Sequence, residues 1–259
     1  MHIRELFSLA GKTAIVTGGA AGIGVQISEA LAEAGADIVI AARKIERCLD
    51  MGKQLEDKYG VRTLAVACDV SKPEDCENLV KKAADHFGRI DILVNNAGMS
   101  WGADSLNYPM DKWHQVMETN VTGLFYLSML TARVMKEQGG GKIINIASIG
   151  GLLGDKPEFV DAIAYSTSKG AVITLTRDLA VKWARYGIYV NAICPGWFPT
   201  HMSEKALNKN REVLQDRIPL KRFGGENDLK GVIVLLSSAA SDFITGQYIV
   251  VDGGTTASM

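Results

Sequence analysis

A chain of 259 residues with a hydrophobic fraction of 47% can bury one large core, and no Pro/Gly/Ser-rich linker or internal repeat divides it. A formal net charge of −1, with Lys and Arg scattered, gives no electrostatic case for nucleic acid or an anionic membrane surface. No apolar run reaches the roughly 18 residues of a membrane span, and the N-terminus lacks the basic-then-apolar form of a signal peptide. Cys48, Cys68, Cys76 and Cys194 form no C-x-x-C pair, and a chain this long does not depend on disulfide staples. They are read as reduced thiols in a cytoplasmic protein. His2, His86, His114 and His201 lack metal-ligand spacing, so no metal site is expected.

Short apolar, β-branched runs alternate with stretches of helical period. In chain order the strands are expected at Thr13–Thr17, Asp37–Ala41, Leu64–Cys68, Asp91–Asn95, Lys142–Ala147, Tyr189–Ile193 and Tyr248–Val251. The helices are expected near Gly22–Ala34, Lys44–Lys58, Cys76–Phe87, Asp111–Glu137, Tyr165–Tyr186 and Asn227–Ser237. This alternation predicts an α/β fold: one domain over residues 1–259, a doubly wound parallel sheet of about seven strands with helices on both faces. Continuously apolar strands agree with a sheet covered on both sides. Ligands of such sheets bind beyond the carboxyl ends of the strands, where nearly all the unusual residues of this chain fall.

The first strand feeds into Thr17-Gly18-Gly19-Ala20-Ala21-Gly22-Ile23-Gly24. Glycines there let the backbone turn tightly and approach a diphosphate, and a following helix N-terminus offers free N–H groups. The spacing is G-x-x-x-G-x-G rather than G-x-G-x-x-G. After the second strand, Ala42 stands where an acid would grip a ribose 2′-OH, and Arg43 follows. That pattern favours NADP(H) over NAD(H); the other reading of Arg43 is a solvated charge at a helix start. Asp69, before Val70, either accepts a bond from the adenine amino group or caps a helix beginning near Lys72. Asn96-Ala97-Gly98 is small enough to lie against the adenosine ribose, while the Asn95 amide ties strand ends together.

Tyr165 and Lys169, four residues apart, share a helix face. A phenol near its ordinary pKa of about 10 is a poor proton carrier at neutral pH, and an ammonium beside it would lower that value. Singly, Ser148 reads as a strand-end cap, Asn120 as a satisfied helix amide and Tyr165 as an amphipathic core residue.

With these motifs in this order, the chain resembles the short-chain dehydrogenase/reductase family from Gly11 to Gly254. The resemblance rests on Thr17–Gly24, Asn95–Gly98, the Ser148/Tyr165/Lys169 set, Pro195-Gly196, Thr245-Gly246-Gln247 and Val251-Asp252-Gly253-Gly254. It implies a catalytic set of Asn120, Ser148, Tyr165 and Lys169. In that set Ser148 holds a carbonyl oxygen, Tyr165 exchanges the proton, and Lys169 tunes Tyr165 and bonds the nicotinamide ribose. The backbone carbonyl of Asn120 holds a water that links Lys169 to solvent. It also implies cofactor contacts at Gly18, Ala20, Gly22, Ile23, Gly24, Arg43, Asp69, Val70, Asn96, Ala97, Gly98, Tyr165, Lys169, Pro195, Gly196, Phe198 and Thr200.

Ser148 and Tyr165 are 17 residues apart, against about 13 in many 3-oxoacyl-carrier-protein reductases, so the loop Gly150–Ala164 is long. That loop, Trp101-Gly102-Ala103 and Pro195–Thr200 are similar to members labelled gluconate 5-dehydrogenase-like. A sugar acid or polyol is the substrate this implies, with a 3-oxoacyl thioester or a general carbonyl compound as alternatives. A catalytically silent nucleotide sensor is the non-enzyme alternative; such proteins typically lose the tyrosine or lysine. Trp101, Trp197, Phe198 and Met202 are candidates to line the substrate pocket. The polar segment Trp197–Arg222 is expected to be a substrate lid or else a plain surface insertion. The family's habit implies a homotetramer.

Overall fold

The computed structural model describes residues 2–258, apart from the side chains of Lys205 and Ala206. After a short helix α1 (Ile3–Leu6), the chain runs through β1 (Thr13–Thr17), α2 (Ile23–Glu33), β2 (Asp37–Ala42), α3 (Ile45–Tyr59), β3 (Thr63–Ala67), α4 (Pro73–Phe87) and β4 (Ile92–Asn95). It continues through α5 (Met110–Met117), α6 (Leu124–Glu137), β5 (Gly141–Ile146), α7 (Ile163–Trp183), β6 (Ile188–Pro195), α8 (Glu204–Asp216), α9 (Lys230–Ser237) and β7 (Tyr248–Val251). All seven strands are parallel, in the order β3-β2-β1-β4-β5-β6-β7. The order reverses between β1 and β4, and the crevice at that reversal opens at the carboxyl ends of the strands.

Successive strand residues point to opposite faces, and this builds two cores. Ala14 and Val16 of β1, with Ile38 and Ile40 of β2, pack on Ile27 and Leu31 of α2, Leu55 of α3 and Ile233 and Leu236 of α9. Ile15 and Val39, with Leu93, Ile143 and Val190, pack on Leu79 of α4, Leu127 and Met135 of α6 and Leu179 of α7.

Two elements differ from the sequence reading. The helix expected over Asp111–Glu137 is three pieces, because Glu118–Gly123 forms a π-helical stretch between α5 and α6. There the chain after β3 presses on the helix: a Cβ on Gly123 would lie 2.2 Å from the Val70 carbonyl oxygen. The polar segment after β6 holds a helix, α8, kinked at Asn210. Its two leucines, Leu207 and Leu214, are buried together with Ile218 and Phe223 in a small separate cluster, while Val213 stays exposed. No helix among the described residues is long and apolar enough to cross a membrane.

Candidate active site

A cleft of about 1440 Å³ runs along the carboxyl ends of the strands, from the loop after β1 to α8. At the β1 end the backbone is closed on itself. A Cβ on Gly24 would lie 2.1 Å from the Gly18 carbonyl oxygen and 2.7 Å from Asn96 Nδ2. Gly22, which precedes α2, has φ 55° and ψ −134°, outside the reach of an L side chain. No side chain caps α2, and no acid sits in its first turn; the N–H groups of Gly24 and Val25 bond back to the carbonyls of Ala21 and Gly22, while that of Ile23, at the helix's positive end, remains for an anion. This glycine cradle and uncapped helix fit a dinucleotide diphosphate.

Side chains around the loop hold its shape. Thr17 Oγ1 accepts from the N–H of both Asn96 and Ala97, each at 3.0 Å. Asn96 Nδ2 donates to the carbonyls of Thr17 and Gly18, at 2.9 and 3.2 Å. The Asn96 amide is therefore spent on the loop, and its expected cofactor contact is limited to the rest of the residue. Asn95 lies behind the cleft, donating to Ser128 and Asn145.

Beyond β2, Arg43 lines the cleft beside Lys44 and Arg47, which the sequence reading missed. Arg47 lies in the first turn of α3, which Arg43 and the N-cap Lys44 immediately precede, so the run of three cations at a helix start was its signal. None of the three has a carboxylate within ion-pair distance among the described residues. Asp69 lines the opposite wall and is no helix cap: α4 begins after Lys72, with Pro73 in its first turn. The Asp69 carboxylate instead accepts from the N–H and hydroxyl of Ser71 at 3.1 and 2.7 Å. Ala20, Ile23, Val70, Ala97, Gly98, Pro195, Gly196, Phe198 and Thr200 all line the cleft, while Gly24 lies beneath the loop. Thr200 sits over the glycine loop, its methyl 3.3 Å from where a Cβ on Gly22 would be.

Ser148, Tyr165 and Lys169 meet in the middle of the cleft. Ser148 follows β5 and its Oγ accepts from the Gly150 N–H at 3.1 Å, so it caps the turn and faces the cleft at once. The turn then touches α7 so closely that a Cβ on Gly151 would lie 2.6 Å from the Gly170 nitrogen. Lys169, buried, donates from Nζ to the Ile146 carbonyl at 2.7 Å and stands 5.5 Å from the centre of the Tyr165 ring. Burial pulls its pKa down to about 8. Tyr165 departs from expectation: burial pushes its pKa up, and a hydrogen bond with Ser148 offsets only part of that. Lys169 is itself desolvated and aimed at Ile146. Asn120 lies behind Lys169, outside the cleft lining. Its amide is fully engaged, accepting from Met99 N–H at 2.8 Å and donating to Met99 O and Ser168 Oγ at 2.9 Å each.

The far end is a cap of two segments. The loop after Ser148 and helix α8 meet through Asn210 Nδ2 on the Glu158 carbonyl at 2.9 Å and Arg217 on Asp155 at 3.1 Å. Phe159 and Trp197 pack against the Leu207/Leu214/Ile218/Phe223 cluster. Trp197, Phe198 and Met202 line the cleft as expected; Trp101 does not. Lys112 stacks on the Trp101 ring at 4.7 Å and holds it on the outer surface, where it is 42% exposed. Among the described residues no group of three or more His, Cys, Asp or Glu is placed to hold a metal ion.

The sequence model of the family described as enoyl-(acyl carrier protein) reductase matches residues 18–256. The chain belongs to the short-chain dehydrogenase/reductase family. It is 40% identical to the 2-dehydro-3-deoxy-D-gluconate 5-dehydrogenase of Dickeya dadantii, over 97% of this chain and 98% of that protein. It is 38% identical to the rhamnolipid-biosynthesis 3-oxoacyl-[acyl-carrier-protein] reductase of Pseudomonas aeruginosa, over 96% and 97%. Among solved structures, a gluconate 5-dehydrogenase from Burkholderia cenocepacia, in complex with NADP and tartrate, superposes with a TM-score of 0.94 at 36% identity, covering all of both chains.

Proposed function

We propose that the protein is an NADP(H)-dependent oxidoreductase that interconverts a ketone and a secondary alcohol on a sugar acid or related polyol. The observation that carries this is the meeting of Ser148, Tyr165 and Lys169 in one cleft with the glycine cradle. When bound, the nicotinamide supplies or accepts the hydride. Gly18, Gly22 and the α2 N-terminus would hold its diphosphate, and Arg43, with Lys44 and Arg47, would face the 2′-phosphate. Asp69 and Val70 would flank the adenine, and Ala97, Gly98, Pro195, Gly196, Phe198 and Thr200 would line the rest.

Ser148 Oγ donates to the substrate oxygen, and the Tyr165 hydroxyl gives that oxygen its proton in reduction and takes it back in oxidation. Lys169, with a pKa of about 8, passes the proton onward near working pH. Asn120 supports this relay through its backbone, since its amide is committed to Met99 and Ser168.

A sugar acid carries one anion and several hydroxyl groups, and the cap offers a matching set. Lys209 lines it without a carboxylate partner among the described residues, while Arg217 is taken by Asp155. Glu158 and Asp161 line the same wall and can accept from hydroxyls. The gluconate-type relatives support this reading. The Pseudomonas relative and the apolar Leu153, Met202 and Leu214 in the same wall support a second one, an acyl-thioester substrate. The Trp197–Arg222 segment acts as a substrate lid, the chain works in the cytoplasm, and exposed Phe125, Ile163 and Val181 on α6 and α7 support assembly as a homotetramer.

Steady-state assays of 2-dehydro-3-deoxy-D-gluconate with NADP+, and of 5-keto-D-gluconate, sorbose and a 3-oxoacyl thioester with NADPH, test the reading. The sugar acids should turn over fastest, and Tyr165→Phe should keep NADPH binding while losing about 100-fold or more in kcat. A Tyr165→Phe enzyme as fast as the unmodified one would remove Tyr165 from the chemistry, and thioester turnover alone would move the substrate to the second reading.

A further inference from the structure

Asn145 is an amide in the middle of β5 with no exposed surface. A polar side chain there is costly unless every hydrogen-bonding group is satisfied. It faces Asn95 in register across β4 and β5. Asn95 Nδ2 donates to Asn145 Oδ1 at 2.9 Å and to Ser128 Oγ of α6 at 2.8 Å. Asn145 Nδ2 donates to Thr176 Oγ1 of α7 at 2.9 Å. Each hydroxyl then donates to its own helix, Ser128 to Leu124 O at 2.7 Å and Thr176 to Val172 O at 2.8 Å. All four side chains are buried, and each donor atom makes at least one of these bonds.

The ends of this network bear on the site. Asn145 precedes Ile146, whose carbonyl receives Lys169 Nζ, and lies three residues before Ser148. Thr176 is seven residues after Lys169, two turns along the same face of α7. α7 is thus pinned to β5 at two points about two turns apart: Lys169 on Ile146 O, and Thr176 on Asn145. Buried Val172, Ile173 and Leu179 hold the helix on the sheet, and the two directional bonds add a fixed register of α7 along the strand.

We infer that Asn145 and Thr176 are positioning residues, which set α7 against β5 so that Tyr165 faces Ser148 and Lys169 reaches Ile146. The inference rests on the hydride-transfer reading of the site. Hydrogen-bond geometry at reacting groups tolerates little displacement, and a shift of about 1 Å can cost up to about 100-fold in rate.

Thr176→Val keeps the shape of the side chain and removes the acceptor for Asn145. It should lower kcat about 10-fold, leave KM for NADPH and for substrate within about twofold, and move the pH profile of kcat, because the Tyr165–Lys169 relay is displaced. Thr176→Ser, which restores the acceptor, should recover at least half the rate. Melting curves and circular dichroism establish the folded fraction at the assay temperature. Where Thr176→Val is not recovered folded, Asn145→Ala is assayed with the same readouts and the same expectations. A folded variant with unchanged kcat and pH profile overturns the inference, as does loss that Thr176→Ser fails to recover. NADPH titration by fluorescence of the unmodified protein separates the two levels. An unmodified protein that neither binds NADPH nor turns substrate over defeats the site reading, whereas normal turnover in both proteins defeats only the positioning role.

Discussion

At the β1 end of the cleft, backbone meets backbone: the Gly18 carbonyl, the Gly24 Cα and the Asn96 amide are so close that a single methyl has no room. At the cap end, each contact runs through at least one side chain: Arg217 with Asp155, the Asn210 amide on the Glu158 backbone carbonyl, and Phe159 against a cluster of four apolar residues. Backbone contact gives one shape that only a particular ligand geometry fits. Side-chain contact gives a shape that can change by substitution without unfolding the sheet. The first end suits a cofactor shared by a whole family and the second a substrate that differs among its members.

Gly24→Ala is the sharpest test of that contrast. The new methyl must move main-chain atoms of the loop, since the Gly18 oxygen would be 2.1 Å away. Strain of this sort costs about 1–3 kcal/mol, and the displaced loop no longer presents its N–H groups together. NADPH affinity, read by fluorescence titration, should fall more than about 100-fold, with a lower melting temperature. Affinity within threefold of the original would mean that the loop yields as readily as the cap.

The same contrast explains what could be read from the chain alone. The glycine loop, the strand ends and the Ser148/Tyr165/Lys169 set are local patterns, and the structure gathers them around one cleft. The seven strands differ from expectation only at their ends, because both-sided burial leaves continuous apolar runs that need no partner to be recognised. Trp101 failed because spacing does not tell the inner from the outer side of a loop; its ring went to Lys112. Helix α8 was hidden because it buries only a few side chains, in part against Phe159 far back in the chain. The rise in the Tyr165 pKa was hidden for a related reason: desolvation depends on everything packed around a group, and a four-residue spacing carries none of it.

Lys169, between the two ends, links function to stability. Its ordinary pKa of 10.5 falls to about 8 on burial. Between those values the unfolded chain holds a proton that the folded chain has released, so stability rises as pH climbs from 8 to 10.5 and this contribution is lost as pH falls through 8. Lys169→Met should flatten that rise in pH-dependent denaturation. It should also raise stability at pH 7 by on the order of 2 kcal/mol, once the unpaired Ile146 carbonyl is set against the gain. Activity should drop about 100-fold. A variant that is both inactive and less stable at pH 7 would show that the bond to Ile146 outweighs the cost of burying the charge.

A smaller effect is expected at the exposed edge of the cofactor end. Arg43 lies in solvent beside Lys44 and Arg47, so any attraction for a 2′-phosphate is shared among three cations and screened by salt. Arg43→Ala should reduce the preference for NADPH over NADH about 10-fold, mostly through KM of NADPH, and less so at high ionic strength. Equal affinities for the two cofactors in the unmodified enzyme would remove the basis for NADP(H).

The smallest change is predicted for Arg217→Ala at the cap. The Arg217–Asp155 pair is 3.1 Å long, but both side chains are about one-third exposed, and exposed pairs contribute about 0–1 kcal/mol. The guanidinium also covers the Phe159 ring at 4.7 Å, a contact of similar size at an exposed site. The apolar cluster beneath, with Leu214 and Ile218 almost fully buried, still holds α8 to the loop. Substrate KM should therefore rise no more than about threefold, with NADPH affinity unchanged, in paired titrations. A tenfold rise would place the rigidity of the cap in this one bridge. The substrate end would then rest on a single specified contact, and the difference between the two ends would narrow to which atoms make it.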